Sequence, residues 1–154
     1  NLKIKKPVFV KMPIEKNNRE VKLMLKEIVK HAWIKGVIFG NLQKDRNDPS
    51  FVKEEINKAG KGNFSGKPTF KRSNELIRLA YQEYGKKLVI VGCGGVFNAH
   101  DAYRKIRLGA SLIQMITGMI FEGPQVMAQI NRDLVTLMKQ DGFSNIKDAV
   151  GVDS

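Results

Sequence analysis

The sequence predicts an α/β fold of four strand–helix units, which fits either half of a (β/α)8 barrel or a small open sheet. Two β-branched apolar runs, at residues 88–91 and 112–116, lead into glycine and flank a helical segment. This is the pattern of neighbouring parallel strands. Polar residues or glycines at the strand ends favour the barrel, because functional residues of barrels collect at the carboxyl edge of the sheet.

The first part of the chain contains two predicted strands and one predicted helix. Residues 7–12 are an apolar run that reaches the polar Lys11, and residues 36–41 are a second run that ends at Asn41. Between them, residues 19–33 carry apolar side chains at helical spacing. The region 42–68 is rich in Asn, Lys and Gly and predicts a long loop, which in a compact domain is usually functional or mobile.

The second part of the chain continues the alternation. Ser73 is a candidate N-cap for a helix whose apolar face reaches Tyr84, and Asn98 is a candidate N-cap for a helix that stops at Gly109. The other predicted elements are strands at 88–91 and 112–116, a long helix that ends near Gly142, and a short helix at about 146–150.

Length and hydropathy predict one soluble, partial domain over residues 1–154. The chain is 42% hydrophobic, and no apolar run approaches the length of a membrane span. The N-terminal segment lacks the pattern of a signal peptide. Because the chain begins with Asn1 and not with methionine, we expect a cut or processed product.

The single cysteine and two histidines exclude several kinds of site. Cys93 alone cannot form an internal disulfide, and it suits a reducing compartment. His31 and His100 are isolated in the sequence, so neither a metal cluster nor a Cys-His nucleophile is predicted.

The net charge of +12 favours anionic ligands in general. The basic residues are spread along the chain and are not interleaved with aromatic residues as they are in single-strand binders. We therefore expect a solvated basic face and no nucleic-acid partner.

The glycines after the last two strands form a candidate phosphate cradle. The backbone N–H groups of Gly94, Gly95 and Gly118 have no Cβ to block a ligand, and the turns after the last two strands of such barrels often bind phosphate. Each turn taken alone favours an ordinary tight turn at a strand end, whereas the correctly spaced pair favours the cradle.

Motifs along nearly the whole chain resemble the C-terminal half of class 2 (quinone-type) dihydroorotate dehydrogenases, which are TIM-barrel flavoproteins of pyrimidine biosynthesis. The matching segments are Val8-Phe9-Val10-Lys11, Gly36-Val37-Ile38-Phe39-Gly40-Asn41, Phe64-Ser65-Gly66-Lys67-Pro68, Ile90-Val91-Gly92-Cys93-Gly94-Gly95-Val96, residues 101–112, Thr117-Gly118, Glu122-Gly123-Pro124 and Asp141-Gly142-Phe143-Ser144.

The resemblance implies FMN as cofactor, dihydroorotate as substrate, orotate as product, and a quinone as electron acceptor. It implies that Lys11 contacts the pyrimidine edge of the flavin and that Asn41 binds substrate, with Leu42 beside it. The other implied flavin contacts are Gly40, Gly66, Gly94, Gly95, Ile116 and Thr117. It also implies a peripheral enzyme on the cytoplasmic side of a membrane.

Departures from the family pattern concern the substrate more than the cofactor. Gly40 and Leu42 each replace a residue that carries a hydroxyl, and Ile116 replaces a tyrosine. The resemblance assigns the catalytic serine to the other half of the barrel, so no catalytic residue is predicted here. We expect this half to be inactive alone and to pair with the N-terminal half or with itself.

Two other functions remain open from the residues. A non-catalytic half-barrel would bind phosphate ligands or acidic polymers through its charge. Another FMN-dependent barrel oxidoreductase, such as a class 1 or dihydropyrimidine-type relative, is compatible with the altered residue Leu42.

Overall fold

Four parallel strands form one sheet, in chain order, within residues 6–49 and 51–154, the part of the chain that the computed structural model describes. The strands are β1 (Val8–Lys11), β2 (Ile34–Phe39), β3 (Val89–Cys93) and β4 (Leu112–Gln114). The helices are α1 (Asn18–Ile28), α2 (Lys53–Lys58), α3 (Phe70–Tyr84), α4 (Ala99–Arg107), α5 (Thr117–Glu122) and α6 (Val126–Gln140). Short 3-10 turns lie at Lys67–Thr69 and Ile146–Ala149. The predicted α/β alternation is confirmed.

One face of the sheet packs against helices and forms the core. Val37 is paired with Ile90 in the register between β2 and β3, and both side chains are buried. Leu25 of α1 and Leu76 of α3 are fully buried in the same cluster. Because side chains alternate along a strand, the opposite face carries the other set of residues.

That opposite, concave face is only partly covered. Val89 of β3 is 37% exposed and Leu112 of β4 is 56% exposed, although both are apolar strand residues. In a closed barrel, the strand residues that face inward point into a filled interior. The exposure therefore shows that this sheet has one packed face and one open face.

Helix α1 begins one turn before a long apolar stripe and ends earlier than predicted. Asn17 caps it with a capping box, in which the Asn17 side chain accepts from the N–H of Glu20 and the Glu20 carboxylate accepts from the N–H of Asn17. The helix ends at Ile28 and not at residue 33, because the chain then turns through three-residue hydrogen bonds, from the N–H groups of Lys30 and His31 to the carbonyls of Glu27 and Ile28, before β2 begins at Ile34.

The prediction that Ser73 caps α3 is wrong. The helix begins at Phe70, directly after the 3-10 turn that contains Pro68, which suits a first turn because it has no N–H to leave unpaired. Ser73 lies inside the helix, fully buried, and its hydroxyl donates to the Phe70 carbonyl at 3.2 Å. Asn98, by contrast, caps α4 as predicted, accepting from the N–H of Asp101.

Strand β4 is shorter than predicted. Its last residue, Gln114, pairs with Cys93, the last residue of β3, so Met115 has no partner on that strand. Thr117 starts the short helix α5, which the sequence analysis missed.

The region 42–68 is a loop with internal structure, including the unpredicted helix α2. Gln43 and Phe64 exchange two backbone hydrogen bonds and close its base, at 2.8 and 2.9 Å. Inside the closed loop the Arg46 guanidinium donates to the backbone carbonyls of Ile56, Ala59, Gly60 and Gly62. No helix in the described ranges is long and apolar enough to cross a membrane.

Candidate functional site

A cavity of about 220 Å³ opens at the carboxyl ends of the four strands. All of the cofactor and substrate residues that the sequence analysis selected line this cavity. They are Lys11, Gly40, Asn41, Leu42, Gly66, Gly94, Gly95, Ile116 and Thr117. The structure brings these residues together, and the role of each stays a prediction.

Parallel pairing explains why residues so far apart in sequence meet. The four strands end at the same edge, so the segments that follow them converge there. Gly40, just beyond β2, continues the ladder, because its N–H donates to the Cys93 carbonyl at 3.0 Å. The peptide bond between Phe39 and Gly40 is cis.

Lys11 crosses the concave face at the end of β1. Its Nζ donates to Gln114 Oε1 at 3.3 Å and lies 3.8 Å from Cys93 Sγ. The side chain is exposed, so the ammonium is available to a ligand in the cavity. The sequence analysis missed Gln114, although its position two residues after Leu112, on the same strand face, was a usable signal.

The glycine loop after β3, formed by Gly94 and Gly95, packs directly on the start of α3. The φ angles of Gly94 and Gly95 are 98° and 71°, in the region that favours glycine. A Cβ at Gly94 would collide with the Thr69 hydroxyl, and a Cβ at Gly95 would lie 2.6 Å from the Cβ of Phe70. Successive amides in such a loop can form an anion-binding concavity.

Gly66 and the segment that starts α5 form a further part of the cavity wall. The Thr117 hydroxyl donates to Ser65 Oγ at 2.9 Å, and the Thr69 hydroxyl donates to the Gly66 carbonyl at 2.7 Å. A Cβ at Gly66 would lie 2.9 Å from Thr117 Cγ2, so these two segments approach closely. Ile116, in contrast, is 65% exposed at the rim.

Asn41 and Leu42 lie at the mouth of the cavity, where the chain leaves β2 for the closed loop. Both side chains are exposed, and the next residue, Gln43, is buried and bonded to Phe64. The two mouth residues are therefore anchored on both sides, by the strand and by the base of the loop.

Beneath the glycine loop lies Lys105, a fully buried lysine of α4. Its Nζ donates to Ser73 Oγ at 2.5 Å and to Asn74 Oδ1 at 2.8 Å, and it lies 4.8 Å from the centre of the Phe70 ring. Desolvation lowers the pKa of Lys105 to about 7. The sequence analysis missed this residue.

A usable signal for Lys105 was its helical spacing. Ala102 and Ile106, three residues before it and one after it, are both buried on the same face of α4. This spacing predicts that the stem of Lys105 packs in the core, although a lysine ammonium usually reaches solvent.

Known proteins match this chain along most of its length. The family described as "Dihydroorotate dehydrogenase" matches residues 2–138. A "Dihydroorotate dehydrogenase (quinone)" of Trichodesmium erythraeum is 37% identical over 154 residues, covering 96% of this chain and 40% of the relative. A mitochondrial protein of that name from Arabidopsis thaliana is 39% identical over 118 residues, covering 77% of this chain and 25% of the relative.

Solved structures agree in fold. A crystal structure of DHODH from Eimeria tenella in complex with ferulenol matches with a TM-score of 0.87 and 28% identity, over 96% of this chain and 38% of that one. The ligand-free form from the same organism matches with a TM-score of 0.84 and 27% identity. The chain spans 40% of the Trichodesmium relative, 25% of the Arabidopsis relative and 38% of the ferulenol-bound chain.

These matches decide between the two architectures that the sequence left open. The sheet and its helices superpose on part of a TIM barrel, so the half-barrel prediction is confirmed over the small complete sheet. The family and the relatives agree with each other and with the predicted resemblance. The chain belongs to the dihydroorotate dehydrogenase family.

Proposed function

We propose that this chain is the C-terminal half-barrel of a quinone-dependent dihydroorotate dehydrogenase and supplies most of its FMN site. The complete enzyme oxidises dihydroorotate to orotate in de novo pyrimidine biosynthesis and passes the electrons to a quinone. The observation that carries the proposal is the cavity at the carboxyl edge. It gathers a glycine loop, a lysine and an asparagine, which suit the phosphate end of FMN, its ring and the substrate.

The residues present fit FMN. The glycine loop would hold the phosphate, since backbone amides at Gly94 and Gly95 approach an anion without obstruction by side chains. The Thr117 hydroxyl adds a donor, and Gly66 leaves room where a Cβ would fill the gap to Thr117. Ile116 would flank the phosphate end through its backbone, and Gly40 would lie near the flavin ring.

Lys11 would act at the ring end of the site. Bound FMN supplies a hydride acceptor for the oxidation of the substrate. A cation at the pyrimidine edge stabilises the negative charge that develops there on reduction. The Lys11 ammonium is free to turn toward a ligand because its present partners, Gln114 and Cys93, also line the cavity.

Asn41 would orient the substrate. Its amide both donates and accepts hydrogen bonds, which suits a pyrimidine ring that carries a carboxylate. Leu42 lies beside it and offers no hydroxyl, so this mouth is more apolar than the family pattern predicts. This departure concerns the substrate end of the cavity. The relatives quoted above are nevertheless named as dihydroorotate dehydrogenases.

The proton-removing base would come from outside this half. Ser65 accepts from Thr117, and Ser73 is buried between Phe70 and Lys105. Ser73 lies away from the cavity lining, and the resemblance matches neither Ser73 nor Ser65, which does line the cavity, to the catalytic serine of the family. This supports the assignment of the catalytic serine to the N-terminal half.

The open face supports a partner that completes the barrel. The exposed apolar residues Val89 and Leu112, with the outer edges of β1 and β4, would be covered by the N-terminal half, or by a second copy if this half is produced alone. Quinone access and peripheral attachment to the cytoplasmic side of a membrane would also belong to the missing part.

The full-length protein tests the proposal. We expect it to bind one FMN per chain with quenched flavin fluorescence, and to reduce that flavin with dihydroorotate. Lys11→Met should slow flavin reduction at least about tenfold, because it removes the charge at the ring edge. The matched control is Lys35→Met, which changes an exposed lysine of β2 and should leave the rate unchanged.

Two results would contradict the proposal. One is a full-length protein that takes up no flavin. The other is salt-sensitive binding to generic DNA without flavin uptake, which would favour the acidic-polymer function that the charge of +12 left open.

A further inference from the structure

The stem of Lys105 packs against β3 at Gly92, where any added side chain would crowd it. A Cβ at Gly92 would lie 3.1 Å from both Cβ and Cδ of Lys105. Gly92 is the last residue but one of β3, directly before the segment that carries the glycine loop. The lysine is thus packed against the base of that loop from below.

The ammonium of Lys105 contacts the first turns of α3. Ser73 and Asn74 accept its two hydrogen bonds, and the Phe70 ring faces it. Two of these residues also support the glycine loop. A Cβ at Gly95 would lie 2.6 Å from Phe70 Cβ, and one at Gly94 would lie 3.6 Å from Ser73 Oγ.

Burying an amine at this position costs free energy. Removing an ammonium from water costs free energy, and hydrogen bonds to protein groups offset only part of that cost. A methionine has a similar length and would fill the space without that cost. A lysine differs from a methionine at this position by its hydrogen-bond donors. Its contribution therefore lies in the hydrogen bonds to Ser73 and Asn74.

We propose that Lys105 is a positioning residue for the phosphate end of the site. Its stem packs against Gly92 of β3 and its Nζ binds the first turns of α3. Phe70 and Ser73 are thereby held where they keep the glycine loop in the conformation that binds the phosphate of FMN. The inference rests on the proposed function, and it goes further by assigning the preference for FMN over riboflavin to a residue outside the cavity lining.

The test compares FMN with riboflavin, which lacks the phosphate, on the full-length apoprotein. Lys105→Met should weaken FMN binding about tenfold and change riboflavin binding less than about twofold. A general loss of structure would weaken both flavins equally. The matched control is Lys71→Met, which makes the same substitution at an exposed position of α3 and should change neither affinity.

A second variant keeps the test decisive if Lys105→Met does not fold. Ser73→Ala removes one acceptor of the lysine and should weaken FMN binding about threefold while leaving riboflavin binding unchanged. Equal weakening of both flavins, or no weakening of FMN in the folded variants, would overturn the inference.

Inorganic phosphate separates this inference from the proposed function. If the wild type takes up no FMN, the proposed function fails. The change in melting temperature caused by phosphate then tests whether Lys105 positions the glycine loop. A shift in the wild type and in Lys71→Met that is lost in Lys105→Met and Ser73→Ala would support the positioning role. Equal shifts in all the proteins, or no shift in any, would overturn it.

Discussion

Raising the pH should stabilise this protein through Lys105. Burial lowers the pKa of this lysine from its ordinary 10.5 to about 7, with Cys93 and Asp101 opposing the shift. Between these two values the unfolded chain binds a proton at the lysine that the folded chain does not. Stability therefore rises with pH across this window, and the penalty for the buried charge is fully present below it.

The size of the effect follows from the pKa values. One pKa unit corresponds to about 1.4 kcal/mol, so the whole window is worth about 5 kcal/mol. Over the range that can be measured easily, from pH 7 to pH 9.5, the gain is about 3 kcal/mol. Lys105→Met removes the titrating group, and this part of the pH dependence should disappear with it.

Urea unfolding of the full-length protein, followed by circular dichroism at pH 7 and pH 9.5, measures this effect. The quantity of interest is the difference between the wild type and Lys105→Met at each pH, which cancels the titration of all other groups. Lys71→Met serves as the control, since the exposed Lys71 side chain should give the same difference at both pH values.

A difference between the wild type and Lys105→Met that stays constant from pH 7 to pH 9.5 would refute the reasoning. It would mean that the folded protein keeps the ordinary pKa of Lys105, and thus that its hydrogen bonds to Ser73 and Asn74 compensate fully for its burial.

Two further predictions concern backbone positions. Gly95→Ala should weaken FMN binding at least about tenfold, because its φ is 71° and the new Cβ meets Phe70, whereas Gly142→Ala, with a φ of 82° and open space around it, should leave the affinity unchanged. Flavin fluorescence titration measures both, and equal affinities in the two variants would contradict the role of the glycine loop. Asn17→Ala should lower the stability by about 1 kcal/mol through loss of its capping box with Glu20, with FMN affinity unaffected. Urea unfolding measures it, and an unchanged midpoint would count against the capping contribution.

The sequence was sufficient for the parallel α/β alternation and for the location of the candidate site, whereas the solved structures decided between a half-barrel and a small open sheet. Short apolar runs that end in glycine or a polar residue, such as the run that ends at Lys11, indicate buried strands by their length, their flanking residues and their β-branched side chains. Once the strands are parallel, their following residues must meet at one edge. The convergence of Lys11, Asn41 and Gly94 therefore needed no three-dimensional information.

Contacts between helices could not be predicted from the sequence. Ser73 precedes an apolar stripe and resembles a cap, but the turn at Pro68 had already started the helix and Ser73 became a core residue. Its partner, Lys105, lies more than thirty residues later and meets it only when α4 packs beside α3. Helix α5, which begins at Thr117, was missed because its 6 residues are too few to show a helical period.

The base of the closed loop makes the loop an exchangeable unit. Gln43 and Phe64 return the chain to nearly the point from which it left, so the number of residues between them does not determine where Asn41 or Gly66 lie. Loop-closure entropy grows slowly with length, so longer or shorter inserts carry little thermodynamic penalty. We therefore expect an insertion between residues 43 and 64 to leave the cavity lining in place.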